Sequence, residues 1–174
     1  VTQINPVIAE ARNRMLLAAT KQGASGVPSG FHSLDKITSG WQRSDLIIIA
    51  ARPAMGKTAF ILSMAKNMAV DYNSPVAVFS LEMSNVQLVN RLIMNVCQLE
   101  GEKIKNGQLD KYEWEKFDKD INLLLDAPIY VDDTPSLSIF ELRSKARRLV
   151  KEHKIQCIII DYLQLMNASG MSFG

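Results

Sequence analysis

Cysteine is scarce in this chain: Cys97 and Cys157 are the only two in 174 residues. Both sit among apolar neighbours, without the paired spacing of a metal site or a disulfide framework, so they read as free core thiols. Long apolar runs are missing too. The stretch from Ile155 to Ile160, broken only by Gln156, falls far short of the ~20 residues that a membrane span needs. No basic-then-apolar start with a small-residue cleavage site marks a secretory leader. These absences argue against a membrane partner and make a reducing cytoplasm the expected location. Charge of one sign is lacking as well: 20 basic against 18 acidic side chains leave a net +2, so no global electrostatic footprint announces nucleic acid. Any nucleic-acid contact must be local or supplied elsewhere. His32 and His153 have no partner at ligand spacing, so a structural metal is not expected.

What is present is ample apolar material, 47% of residues, enough for one self-supporting core. At the N-terminus Ile4, Val7, Ile8, Ala11, Met15 and Ala18 recur at helical spacing, which predicts an amphipathic helix over 4–19. The segment Gly23 to Gly30, rich in Gly and Ser and carrying Pro28, predicts a flexible tether after it. The expected division is therefore a linker helix in 1–22 and a domain in 23–174.

From Asp45 onward short Ile- and Val-rich runs alternate with longer segments. Leu46 to Ala50, Val76 to Ser80, Ile129 to Val131 and Cys157 to Ile160 are continuous apolar runs, the pattern of strands covered on both faces, and predict four parallel strands. Ser84 with Gln87, Asp110 with Glu113 and Ser138 with Glu141 have the spacing of capping boxes. Helices are expected near 58–70, 85–97, 111–124 and 139–152. Such alternation specifies an α/β fold, a mostly parallel sheet flanked by helices.

The chemistry is concentrated after the first run. Ala51-Arg52-Pro53-Ala54-Met55-Gly56-Lys57-Thr58 has the spacing of a phosphate loop, with Ala51 in place of its first glycine. It is followed by a helix-forming segment that opens at Ala59. Such a loop turns successive backbone N–H groups inward around a polyphosphate, and the next helix aims its positive end at the same anion. Gly56 permits close approach, Lys57 can reach the β- and γ-phosphates, and the Thr58 hydroxyl can ligate Mg²⁺. Ala51 tolerates this role only with a negative φ. ATP with Mg²⁺ is the expected ligand pair, held by residues 51–59.

A phosphate loop needs a carboxylate on the metal side, and Asp161 ends the run Cys157 to Ile160 at the carboxyl edge where ligands of parallel sheets collect. Hydrolysis also needs a group that orients water. Glu82, just past the run Val76 to Ser80, stands beside the loop if that strand neighbours the first. It is equally readable as an acid favoured near the start of the helix after Ser84.

Two further features read as structural. Arg143, Lys145, Arg147, Arg148, Lys151 and Lys154 spread around one helix instead of tracking a stripe, with Glu141 and Glu152 beside them, so a solvated face or subunit contact is expected. Tyr112, Trp114 and Phe117 lie at helical spacing after Asp110 and are expected to pack.

The motifs Gly30-Phe31, Leu34-Asp35 and Gly40-Trp41, then Asp45 to Ile48, the loop 51–58, Phe79 to Ser84, Asp132 to Pro135 and Ile160 to Leu165 come in linked order. Together, from about Gly26 to Met166, they resemble the bacterial replicative helicases of the DnaB family. The resemblance implies a RecA-like motor core, a homo-hexameric ring, and ATP-driven movement on single-stranded DNA at a replication fork, with primase and a helicase loader as partners. It implies Glu82 as the catalytic glutamate, Lys57 in the reaction, and Thr58 with Asp161 on Mg²⁺. It also implies that residues 4–19 dock on an adjacent subunit, and that the relaxed glycine at Ala51 is tolerated. The family continues past the equivalent of Ser169 to Gly174 with DNA loops, a γ-phosphate sensor and a basic finger, and begins with a primase-binding domain, so this sequence is expected to be part of a larger machine. The alternatives are a recombinase-like ATPase on the same core and a non-motor module whose assembly nucleotide controls.

Overall fold

A computed structural model describes residues 3–20 and 25–166. The chain forms two compact units, residues 1–47 and 48–174.

In the first unit the predicted N-terminal helix is present as α1, Ile4–Thr20. Its apolar side chains lie open to solvent: Ile4, Val7, Ile8, Met15, Leu16 and Leu17 are all more than half or fully half exposed. The expected tether falls partly outside the described residues, which resume at Ser25. From there the chain is tied down instead of loose. Val27 and Trp41 exchange two backbone hydrogen bonds of 2.9 and 2.8 Å, and Gly26 N–H donates to Ser39 O. A Cβ on Gly26 would meet Trp41 O at 2.4 Å, and Gly40 has φ +80 with Gly26 backbone 2.9 Å from its would-be Cβ. Only glycine fits at this crossing. A short helix that periodicity did not predict, α2 (His32–Thr38), follows. The Asp35 carboxylate receives Ser29 N–H, the buried Ser29 hydroxyl and Gly30 N–H at 2.8, 2.6 and 3.0 Å, so three donors of the preceding turn are satisfied by one anion.

The second unit is a three-stranded parallel sheet with helices. In chain order it contains α3 (Lys57–Lys66), which runs on through a π-turn over Asn67–Asp71, then β1 (Val76–Ser80), α4 (Asn85–Cys97), α5 (Gly101–Asn106), α6 (Lys111–Asp120), α7 (Asn122–Leu125), β2 (Ile129–Asp132), α8 (Ile139–His153) and β3 (Cys157–Asp161). The order across the sheet is β2-β1-β3, with Phe79 opposite Asp132 on one side and Ser80 opposite Asp161 on the other. The central strand β1 is buried at every residue. Of its alternating side chains, Ala77 and Phe79 join Leu137, Leu142 and Ile155 in a core under α8. Elsewhere in this unit α3 packs against α4.

The three capping boxes form as expected at Ser84, Asp110 and Ser138. Three expectations are corrected. The run Leu46 to Ala50 forms no strand: Leu46 is 87% and Ile48 78% exposed, and nothing among the described residues pairs with it. Side-chain pattern specifies a covered surface, but a strand exists only where a neighbour completes its ladder, and among the described residues β3 is paired on one edge alone. The expectation of strands covered on both faces holds for β1 but not for β2 or β3, whose Ile158 is 38% exposed. Nor do the aromatics after Asp110 pack as a group. Trp114 and Phe117 meet edge to face at 5.7 Å, whereas Tyr112 is 74% exposed.

Candidate functional site

The carboxyl ends of β1 and β3, the loop before α3 and the start of α4 surround one cleft of about 530 Å³. It is lined by Ala51, Arg52, Pro53, Ala54, Gly56, Lys57 and Thr58 from the loop, together with Glu82, Arg91, Tyr162 and Gln164. The expected residues Met55 and Ala59 do not line it, and the Met55 side chain is 73% exposed.

The loop has the backbone that phosphate wrapping requires. Ala54 and Gly56 take φ of +62 and +83, whereas Ala51 is not among the positive-φ residues, which meets the condition on its methyl group. Gly56 is the N-cap of α3 and offers no side chain to cap it. The first turn of α3 therefore keeps its free N–H groups and the positive end of its dipole for an anion. The space where a Gly56 Cβ would stand has no atom within 4 Å, so a phosphate oxygen can approach the backbone there.

Behind the loop, Asp161 ends β3 with only 3% of its surface exposed. The Thr58 hydroxyl donates to Asp161 Oδ2 at 2.9 Å, and Lys57 Nζ lies 3.0 Å from Oδ1. Oδ1 is buried with no donor aligned to it as a hydrogen bond, leaving lone pairs for a hard cation. A threonine hydroxyl beside a buried carboxylate, at the mouth of a polyphosphate loop, fits Mg²⁺ held jointly by protein and phosphate oxygens. Lys57 also sits over the Tyr162 ring, 4.3 Å from its centroid, a cation–π contact.

Glu82 stands exposed at the cleft on the three-residue bend between β1 and α4. Leu81 N–H donates to the Asp161 carbonyl at 2.8 Å, so the bend starts in register with the end of β3. The structure thus brings Lys57, Thr58, Asp161 and Glu82 together although they lie in three separate stretches of sequence.

Sequence reading missed Arg91, Tyr162 and Gln164. Tyr162 and Gln164 adjoin Asp161 and belong to a quoted motif, so proximity could have found them. Arg91 lies within α4, where no local signal separates a cleft-facing arginine from a solvated one.

Away from the cleft, Lys145 is not a free cation of a basic run: its ammonium donates to Asp132 Oδ2 at 2.6 Å and to the Thr134 hydroxyl at 2.7 Å. Burial disfavours the Asp132 anion, but these bonds and Thr134 N–H outweigh it and hold the carboxyl below its usual range. Arg143, Arg147 and Lys151 follow one another at intervals of four and are exposed, so these three share one solvated flank of α8. His153 stacks on Tyr130 with ring centroids 4.3 Å apart. Burial pushes the free thiol of Cys157 up to about 11, and that of buried Cys97 upward as well, as inert core thiols require.

Residues 26–172 match the family model of the DnaB-like helicase C-terminal domain. The replicative DNA helicase DnaB of Nostoc sp. is 50% identical over 147 residues, covering 83% of this chain and 17% of that protein. Its counterpart from Geobacillus stearothermophilus is 48% identical over 148 residues, covering 85% of this chain and 33% of that protein. Among solved structures, the ATPase domain of G40P superposes with a TM-score of 0.86 at 32% identity, over 99% of this chain and 62% of that one. A DnaB-like replicative helicase studied with its interactions with primase gives 0.81 at 31% identity, over 99% of this chain and 42% of that one. The chain thus spans about a sixth to a third of the length of these two curated relatives.

Proposed function

The chain belongs to the DnaB-like helicase C-terminal domain family, and from that membership we propose that it supplies the ATP-hydrolysing motor core of a replicative DNA helicase. The observation that supports this best is the meeting of Lys57, Thr58, Asp161 and Glu82 at one cleft. The division into a linker helix, 1–22, and a RecA-like ATPase domain, 23–174, belongs to the same proposal.

In this reading ATP lies along the loop 51–58 with its phosphates on the free N–H groups of α3. Lys57 exchanges its contact with Asp161 for the β- and γ-phosphate oxygens. Thr58 and Asp161 would hold Mg²⁺, which when bound neutralises charge on the transferring phosphoryl group. Glu82 accepts a proton from, and orients, the water that attacks the γ-phosphorus. Turnover then drives movement on single-stranded DNA within a homo-hexamer. The family match and the DnaB relatives favour a helicase over a recombinase-like filament ATPase. Primase and a loader are proposed partners, the first supported by the primase named with the solved relative. A cytoplasmic site is in keeping with the finding that no described helix is long and apolar enough to cross a membrane.

Glu82→Gln provides the test. The variant should bind ATP as the parent does while its turnover drops by about two orders of magnitude or more. Unchanged hydrolysis would remove Glu82 from the reaction and favour a module in which nucleotide controls assembly alone.

A further inference from the structure

Glu82 is exposed and sits on a bend, yet a water-activating carboxylate must be held to within about 0.5 Å of its working position. Resting on the role proposed above for Glu82, we infer that Ser80 and Asp133 are the positioning residues that hold this bend, one at the end of β1 and one just past the end of the adjacent β2.

Ser80, the last residue of β1, is 3% exposed. Its hydroxyl donates to the Met83 carbonyl at 2.8 Å and accepts Met83 N–H at 3.1 Å. Both polar groups of the residue after Glu82 are therefore fixed to the strand that precedes it. The second anchor comes from β2. Asp133 directly follows Asp132, which faces Phe79 across the ladder, so its carboxylate stands level with the bend. Asp133 Oδ2 accepts Asn85 N–H, the first amide of α4, at 2.9 Å. The pose of Asp133 is set in turn by its neighbours, since Asp132 and Thr134 are both clamped by Lys145 and to one another.

Helix capping alone does not account for Asp133. Ser84 Oγ already accepts Gln87 N–H and the Gln87 side chain accepts Ser84 N–H. The Asp133 bond takes a different amide, and it ties the exit of the bend to the sheet while Ser80 ties the middle. Leu81 N–H on the Asp161 carbonyl fixes the entrance. Within the stretch 81–83 the backbone bonds are made by Leu81 and Met83, so Glu82 is held by its neighbours on both sides.

The test compares Ser80→Ala, Asp133→Ala and Asp133→Asn with Glu82→Gln in the whole assembled protein, measuring single-turnover ATP hydrolysis with Mg²⁺ and, separately, equilibrium binding of a fluorescent ATP analogue. Ser80→Ala and Asp133→Ala should each lower the hydrolysis rate constant about tenfold with nucleotide affinity within about twofold, the split expected of a displaced catalytic group. Asp133→Asn keeps an oxygen acceptor and should recover most of the rate. Amide hydrogen exchange should quicken at Met83 in Ser80→Ala and at Asn85 in Asp133→Ala. Parental rates in both alanine variants beside an inactive Glu82→Gln overturn the positioning role alone. So does a loss of affinity that parallels the loss of rate. A fully active Glu82→Gln overturns the role of Glu82 and this inference with it. Asp133 is exposed, so its variants remain decisive where buried Ser80→Ala fails to fold.

Discussion

Lys57 Nζ lies 3.0 Å from Asp161 and 4.3 Å from the Tyr162 ring, so in the proposed reading nucleotide would replace the carboxylate as its partner. Polyphosphate would outcompete that carboxylate because it brings several anionic oxygens, which the free N–H groups of α3 bind as well. Lys57→Ala should therefore weaken ATP binding by about a hundredfold or more, measured by calorimetry; undiminished affinity would sink the assignment of the loop. A second ammonium has a structural task. Lys145 keeps the Asp132 carboxyl below its usual range. A depressed carboxyl contributes stability that is present above the ordinary carboxylate value and is lost as pH falls through the lower folded value. Lys145→Met should return Asp132 toward its ordinary value, so that this contribution, and with it the part of the stability lost on acidification, shrinks. It should also cost about 1 kcal/mol near neutral pH, a modest figure because the pair is partly exposed. Carboxyl titration by NMR with unfolding at several pH values checks both; an unmoved Asp132 would refute the coupling.

At the level of elements, the caps carry most of what could be read ahead of the structure. Ser138 N–H donates to Glu141 at 2.9 Å and Glu141 N–H to the Ser138 hydroxyl at 3.2 Å. Ser138→Ala should destabilise the second unit by about 1 kcal/mol in denaturant unfolding, and a change near zero would mean that α8 is held by packing alone. The boxes at Ser84, Asp110 and Ser138 were legible because two side chains three positions apart suffice to make them. Asp161 and the phosphate loop were legible for the same local reason. The lack of a strand over Leu46 to Ala50 was not, because the run's apolar pattern says that something should cover it and not what pairs with it. α2 and α5 escaped because helices of 7 and 6 residues are too short to show a period and are set by tertiary contacts such as the Asp35 knot. Glu82 was half legible. Its distance past β1 could be counted, but that β1 lies next to β3 and so brings Glu82 to the cleft follows from sheet order, which no local pattern encodes.

On the scale of the whole molecule, α1 stands out for its exposed apolar side chains. At 17 residues it is about 25 Å long, and it presents Ile4, Val7, Ile8, Met15, Leu16 and Leu17 to solvent. An apolar surface of this extent is characteristic of a contact between chains, and in a homo-oligomer the same helix on every copy can seat on the next copy, a head-to-tail arrangement that closes into a ring. The polar side of α1 agrees with this, since Glu10 and Arg14 pair one turn apart and neutralise each other. The proposed neighbour contact therefore rests on burial of apolar area, about 1.5–3 kcal/mol for each large side chain covered, and should be insensitive to salt. Ile8→Asp places a charge in that face without touching the second unit. It should raise the dissociation constant of the assembly by at least about tenfold, seen by mass photometry as a shift toward smaller species. Nucleotide affinity of the cleft should stay within about twofold, because the loop 51–58 and its partners lie in residues 48–174. An unchanged mass distribution would show that α1 is not the contact, and a parallel loss of nucleotide binding would show that the helix supports its own chain's fold instead of its neighbour's.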